Sequence, residues 1–269
     1  MKRFLVLLTA LTLLTGFVFA EDIGLTAGLE FGVVNIGEGD GFEKQPYLMP
    51  NLVYENAFLD EALDVYAELD YSFGFNKNGG DSFPMLLEFD LALGYNLKLG
   101  SASTLSFLLE DYWAFCLSPE VIEPDLPYFM ELYPGVKFNQ GFDFGDIYAK
   151  LEFPLYFFGY KDADLACDIW FTAGFKSNVG FGIYITEKFG IKPEAEHHAI
   201  RVVPSFEYGP IYAELKTDLI GSDDFFLNLT PKVNYNFNAF NFYVKCEFDF
   251  IGTDGDIWIT PALGATFSF

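Results

Sequence analysis

Positive charge and histidine are scarce in this chain. Its 269 residues hold 15 Lys and Arg against 39 Asp and Glu, with two His, for a net charge of -24 at pH 7. So acidic a surface gives nucleic acid no electrostatic footing, and no nucleic-acid partner is expected. Three cysteines, Cys116, Cys167 and Cys246, are too few and too dispersed for a disulfide framework even in an oxidising compartment. Cys167 and Cys246 fall on the apolar parity of their segments, where cysteine behaves as a small hydrophobe. The histidines, His197 and His198, are adjacent, in a loop or at a strand start. With Glu194 and Glu196 beside them a loop metal site is conceivable, but a solvated loop is the simpler reading. The acidic turns at 37–41, 221–224 and 252–256 lack the ligand spacing of a dedicated calcium loop. No catalytic residue, metal or cofactor is therefore expected, and the chain is not read as an enzyme.

Long apolar runs are also missing, except at the start. Lys2 and Arg3 precede an apolar stretch from Phe4 to Leu14, and Phe17-Val18-Phe19-Ala20 ends in a small residue before Glu21. This pattern predicts a secretory signal peptide over residues 1–20, with no cysteine placed for lipoprotein processing. Residues 21–269 contain no stretch long enough for a helical membrane span. Yet mean hydropathy is +0.22 and aromatics make up 19% of the chain, 33 of them Phe. A chain both oily and strongly charged must separate the two kinds of side chain by geometry, and alternation along strands does this.

That alternation runs from Ile23 onward. Ile23, Leu25, Ala27, Leu29, Phe31 and Val33 interleave with Gly24, Thr26, Gly28, Glu30 and Gly32, which puts one set on each face of a strand. The pattern predicts strands near 23–34, 46–57, 63–75, 84–98, 103–115, 127–139, 146–158, 166–176, 179–186, 198–208, 211–220, 225–236, 240–250 and 256–269. Connections alternate short and long, the longer ones being 37–44, 76–82, 118–125 and 187–197. An even number of strands with short turns on one side is the connectivity of an antiparallel up-and-down transmembrane β-barrel. Fourteen strands fit the length, with twelve as the alternative, in a single domain over 21–269. Hairpin motifs repeat: Val65-Tyr66-Ala67-Glu68, Ile147-Tyr148-Ala149-Lys150, Ile211-Tyr212-Ala213-Glu214 and Phe242-Tyr243-Val244-Lys245 leave short turns, while Pro50, Pro134, Pro204, Pro231 and Pro261 open returning motifs. Proline inside strands runs against the ladder, so bulges or bends are expected there.

The polar parity carries too many charges for a dry core, so the apolar face is placed outside. Inside, the parity puts the acids Glu68, Asp70, Glu88, Asp90, Glu110, Glu131, Glu152, Glu214, Asp218, Glu247 and Asp249, the cations Lys98, Lys137, Lys150, Arg201, Lys216, Lys232 and Lys245, and the aromatics Tyr66, Tyr148, Trp170, Tyr212, Tyr243 and Trp258. Tyr133, Tyr156 and Tyr184 share that parity. Excess carboxylate in a water-filled pore concentrates cations, less whatever pairs across strands. Outside, Tyr54, Tyr95, Phe138, Phe175, Tyr208 and Tyr235 approach the short turns, where an interfacial aromatic girdle belongs.

With these features the chain resembles bacterial outer-membrane β-barrels. Its last residues, Ala265-Thr266-Phe267-Ser268-Phe269, look like the terminal strand signal of those proteins, read through Phe267 and Phe269 by the barrel-assembly machinery. In size and strand number it is similar to small monomeric porins of the OmpG and KdgM kinds, with no diagnostic motif shared. The resemblance implies export to the outer membrane, periplasmic chaperones, lipid as surroundings, a monomer, and passive diffusion of small polar or cationic solutes. The alternative is a non-conducting structural or host-binding barrel that acts through its extracellular loops. Barrel proteases and phospholipases use histidine with carboxylates or serine, which His197 and His198 do not supply in a matching pattern.

Overall fold

The computed structural model describes residues 24–34, 45–74, 86–116, 128–158, 166–191, 198–221, 226–251 and 256–268. The expected signal peptide, His197, Phe269 and most of the longer connections lie outside these residues. The strands are β1 (Leu25–Val34), β2 (Gln45–Phe58), β3 (Leu63–Gly74), β4 (Leu86–Lys98), β5 (Ser103–Cys116), β6 (Tyr128–Phe142), β7 (Gly145–Glu152), β8 (Leu155–Phe158), β9 (Ala166–Ser177), β10 (Phe181–Gly190), β11 (His198–Tyr208), β12 (Ile211–Gly221), β13 (Phe226–Phe237), β14 (Phe240–Ile251) and β15 (Asp256–Ser268). Neighbouring strands of the sheet pair antiparallel, and β1 pairs with β15 from Thr26↔Ser268 to Gly32↔Ala262, which closes the sheet. β7 and β8 lie end to end between β6 and β9, so the wall has fourteen staves.

Polarity is inverted relative to a soluble domain. Leu29, Phe107, Phe171, Phe206, Leu215, Val244 and Leu263 are exposed, while Glu30, Glu152, Asp168 and Asn228 are buried. The alternation therefore turns its apolar set outward and its polar set toward the axis, as a barrel standing in lipid requires. Fold class and strand number agree with the periodicity, and closure leaves no unpaired edge.

Three details correct the sequence reading. The predicted strand 146–158 breaks at Phe153-Pro154, where Pro154 has no N–H to give; the gap is bridged by Phe153 N–H donating to Pro134 O at 2.9 Å and Asp168 N–H to Pro154 O at 3.0 Å. β10 continues to Gly190 rather than ending at 186, because the polar Glu187 stands on the apolar parity without ending the strand. At the in-strand prolines of β2, β11 and β13 the register shows no bulge. The β2–β3 ladder lapses between Leu48↔Phe73 and Asn51↔Asp70, β11–β12 between Val202↔Thr217 and Ser205↔Glu214, and β13–β14 between Leu229↔Phe248 and Lys232↔Lys245, with the register unchanged across each lapse. Each proline removes a donor on one side only, so pairing is lost locally and side-chain parity is kept.

One end of the barrel carries the short turns at 59–62, 99–102, 143–144, 178–180, 209–210 and 238–239. The first contains no glycine, yet Leu59, Asp60 and Glu61 take φ of 55°, 55° and 68°. At this end Tyr95, Phe138, Tyr208 and Tyr235 are exposed, with Tyr54 and Phe175 half-buried. Phenylalanines add to them: Phe142 stacks on Phe144 at 5.3 Å, and Phe240 meets Phe267 at 4.7 Å.

Candidate functional site

The chemistry of this molecule is concentrated in its lumen, and the lumen is divided by charge. On one side, β3 and β4 set acids directly against acids: Glu68 pairs with Asp90, and Asp70 with Glu88, across one ladder, with Glu110 on the next stave, β5. Tyrosines and amides supply most of the donors. Tyr66 donates to Glu68 and Tyr112 to Glu88, and Asn51 Nδ2 donates to Glu68 Oε1 at 3.3 Å. One carboxylate oxygen of Asp70 and one of Asp90 are buried without a hydrogen-bond partner among the described residues. Farther round, Asn228 Nδ2 donates to both Glu247 and Asp249 at 2.6 Å, and Thr230 Oγ1 to Asn228 Oδ1 at 2.9 Å.

Across β6 to β12 the cations gather. Arg201 forks onto Asp218 through Nε at 2.6 Å and Nη2 at 2.9 Å, and Lys216 reaches the same carboxylate at 3.3 Å. Lys150 pairs with Glu152 at 2.5 Å. Lys188 lies over the Trp170 ring at 3.7 Å from its centroid, and Lys137 over Tyr148 at 4.9 Å. Neither Lys137 nor Lys188 has a carboxylate within 4 Å among the described residues. Tyr133 tilts against Trp170 at 5.3 Å, and the hydroxyls of Thr172 and Thr186 bond at 2.8 Å. Most of these side chains, though not Asp218 or Lys216, line a cavity of about 420 Å3 in the barrel interior with Glu110 and Tyr184.

The remaining expected lumen residues lie on the same parity. Lys98 sits at the short-turn mouth, 3.5 Å from Glu61. Tyr212 donates to Glu214 at 2.8 Å. Lys232 lies 5.0 Å from the centroid of Tyr243. Glu131 stands opposite Tyr112, and Trp258 opposite Asp249, in their ladders. His198, by contrast, is on the outer face, 3.0 Å from Glu187 and stacked on Phe189, both on the extended part of β10.

Glu30, Asp168 and Lys188 are among the interior residues that the sequence reading did not single out. Glu30 accepts from Tyr47 at 2.6 Å and Tyr243 at 2.7 Å and pairs with Lys245 at 2.8 Å. Tyr243 and Lys245 reach it across β15 because their ladder partners there, Gly264 and Ala262, are small. Asp168 accepts from Tyr156 at 2.9 Å and Trp170 Nε1 at 3.3 Å. Lys188 lies beyond residue 186, where the alternation predicts that strand to end, on the part of β10 that continues to Gly190. Parity alone would have found all three; their partners, scattered along the chain, needed the closed wall.

No protein-family model matches the sequence, and no curated protein matches it. Solved structures do share the fold. OccAB4 of Acinetobacter baumannii superposes with a TM-score of 0.52 at 10% identity, covering 91% of this chain and 97% of that one. The outer membrane channel DcaP of the same organism gives 0.49 at 12% identity over 93% and 99% of the two chains. A double mutant of Rh. blastica porin gives 0.46 at 12% identity over 91% and 99%. With OccAB4 the chain thus shares its overall fold.

Proposed function

We propose that this protein is a bacterial outer-membrane channel through which small hydrophilic solutes diffuse, with cations preferred. Export by the N-terminal segment and insertion by the barrel-assembly machinery, with periplasmic chaperones in transit, belong to the same reading. The observation that carries it is the row Asp70, Asp90 and Glu110 on the inner wall, none with a cation within 4 Å among the described residues. Fixed charge left uncompensated in a narrow aqueous passage raises the local concentration of counter-ions and excludes co-ions. Elsewhere carboxylates such as Glu30, Glu152 and Asp218 are matched by Lys245, Lys150 and Arg201 and contribute little to selection.

Purified protein in planar bilayers is expected to give ohmic steps whose reversal potential in a salt gradient shifts toward the cation. Replacing Asp70, Asp90 and Glu110 together by Asn, Asn and Gln should lower the cation-to-anion permeability ratio severalfold with conductance retained. A barrel that inserts without conducting would overturn the proposal and move attention to the exposed loops.

A further inference from the structure

We infer that the cavity beside Trp170 is a binding subsite for a zwitterion of the amino-acid or short-peptide class. The inference rests on the channel reading for the route by which such a solute arrives. Its basis is that the cavity has charged groups of both signs, on different staves, that form no ion pair within 4 Å among the described residues. Lys137 and Lys188, from β6 and β10, project over aromatic rings rather than onto carboxylates. Glu110, from β5, lines the same space and forms no ion pair within 4 Å among the described residues. Trp170 and Tyr133, tilted against each other at 5.3 Å, line it as well.

Each element suits one part of such a solute. The Lys188 ammonium receives a carboxylate, and holding it over the indole fixes the charge in place without neutralising it. Glu110 receives an ammonium, and the Trp170–Tyr133 corner receives an apolar or aromatic side chain. A solute with only one charge leaves the opposite wall uncompensated, so discrimination arises from the unmatched group as much as from the matched one. The volume, about 420 Å3, is at the small end of organic-ligand sites. Arg201 and Lys150 border the cavity but are already occupied by Asp218 and Glu152; they hold the local charge balance and leave Lys137 and Lys188 as the open positions.

The test compares three probes of one skeleton on the full-length refolded barrel: L-phenylalanine, 3-phenylpropionate and phenethylammonium. Calorimetry in detergent reads binding, and transient blockade of single-channel current reads occupancy of the passage. L-Phenylalanine is expected to bind about tenfold or more tightly than either singly charged probe, the value of one charged hydrogen bond. Lys188→Gln should erase the advantage over phenethylammonium, and Glu110→Gln the advantage over 3-phenylpropionate. Equal affinity for the three probes, or no calorimetric binding of any, overturns the subsite; because this comparison is made on the unmodified protein, misfolding of a variant does not obscure it. Conductance without binding overturns the subsite and leaves the channel, whereas binding without conductance keeps the subsite and overturns the channel.

Discussion

Tyrosine lying flat on glycine recurs along the inner wall. A Cβ added to Gly264 would sit 2.2 Å from the Tyr243 ring, one on Gly174 2.2 Å from Tyr148, and one on Gly32 2.4 Å from Tyr47. In each case the glycine is the ladder partner of the tyrosine on the next stave. The missing side chain leaves the recess in which the ring lies. From that recess Tyr243 carries its hydroxyl sideways to Glu30, two staves from its own. Gly264→Ala must push Tyr243 off its seat and break that bond, at a cost of about 1–2 kcal/mol. The urea midpoint for refolding into vesicles should fall accordingly, and Tyr243→Ala should add little further loss in that background, because the interaction has already gone. Equal and additive losses would show that ring and glycine act independently.

At the scale of the element, parity matters more than length. The prolines interrupt pairing without shifting register, so the strands that carry them keep their outer and inner sets across each lapse. A deletion inside a strand has the opposite effect, since one lost residue turns all that follows to the other face. Removing Thr217 from β12 would send Asp218 outward while Lys216 stays inside, parting the carboxylate from Arg201. Such a variant is expected not to reach the compact, heat-modifiable form on gels, whereas Pro231→Ala, which restores a donor at a lapse, should reach it normally. Strand existence was legible in the alternation because period two is a local property. The break at Pro154 and the extension of β10 were not. Whether a proline ends a strand or is bridged depends on the carbonyl offered by its neighbour, here Pro134 O. Likewise Glu187 survives on the outer face because His198, one stave away, lies 3.0 Å from it.

For the whole molecule, the consequence of closure is a polar interior inside an apolar belt. Outward residues such as Leu215, Val233 and Leu263 lie open on the protein surface, with exposures of 39%, 50% and 58%. Their burial is left to lipid. Leu215→Arg should destabilise the barrel in vesicles by about 2–4 kcal/mol if it sits near the bilayer midplane. A cation on the inner face of the same stave, such as Lys216, is accommodated by Asp218. A similar midpoint for wild type and L215R in refolding titrations would mean that the belt does not face hydrocarbon. The uneven charge of the lumen also belongs to this scale: acids without an ion pair lie on β3 to β5, while β6 to β12 carry cations together with acids such as Glu152 and Asp218.

The sequence by itself determined the period, which residues share a face, and the excess of carboxylate on the polar one, because each follows from spacing along a single strand; the choice of fourteen staves over twelve was settled by the ladders. Closure was decided by tertiary structure, as Thr26 meets Ser268 from the far end of the chain. So was the pairing of charges. Lys245 neutralises Glu30 while Lys137 and Lys188 stay open, because an ion pair depends on a few ångströms of separation across staves, which no one-dimensional pattern encodes.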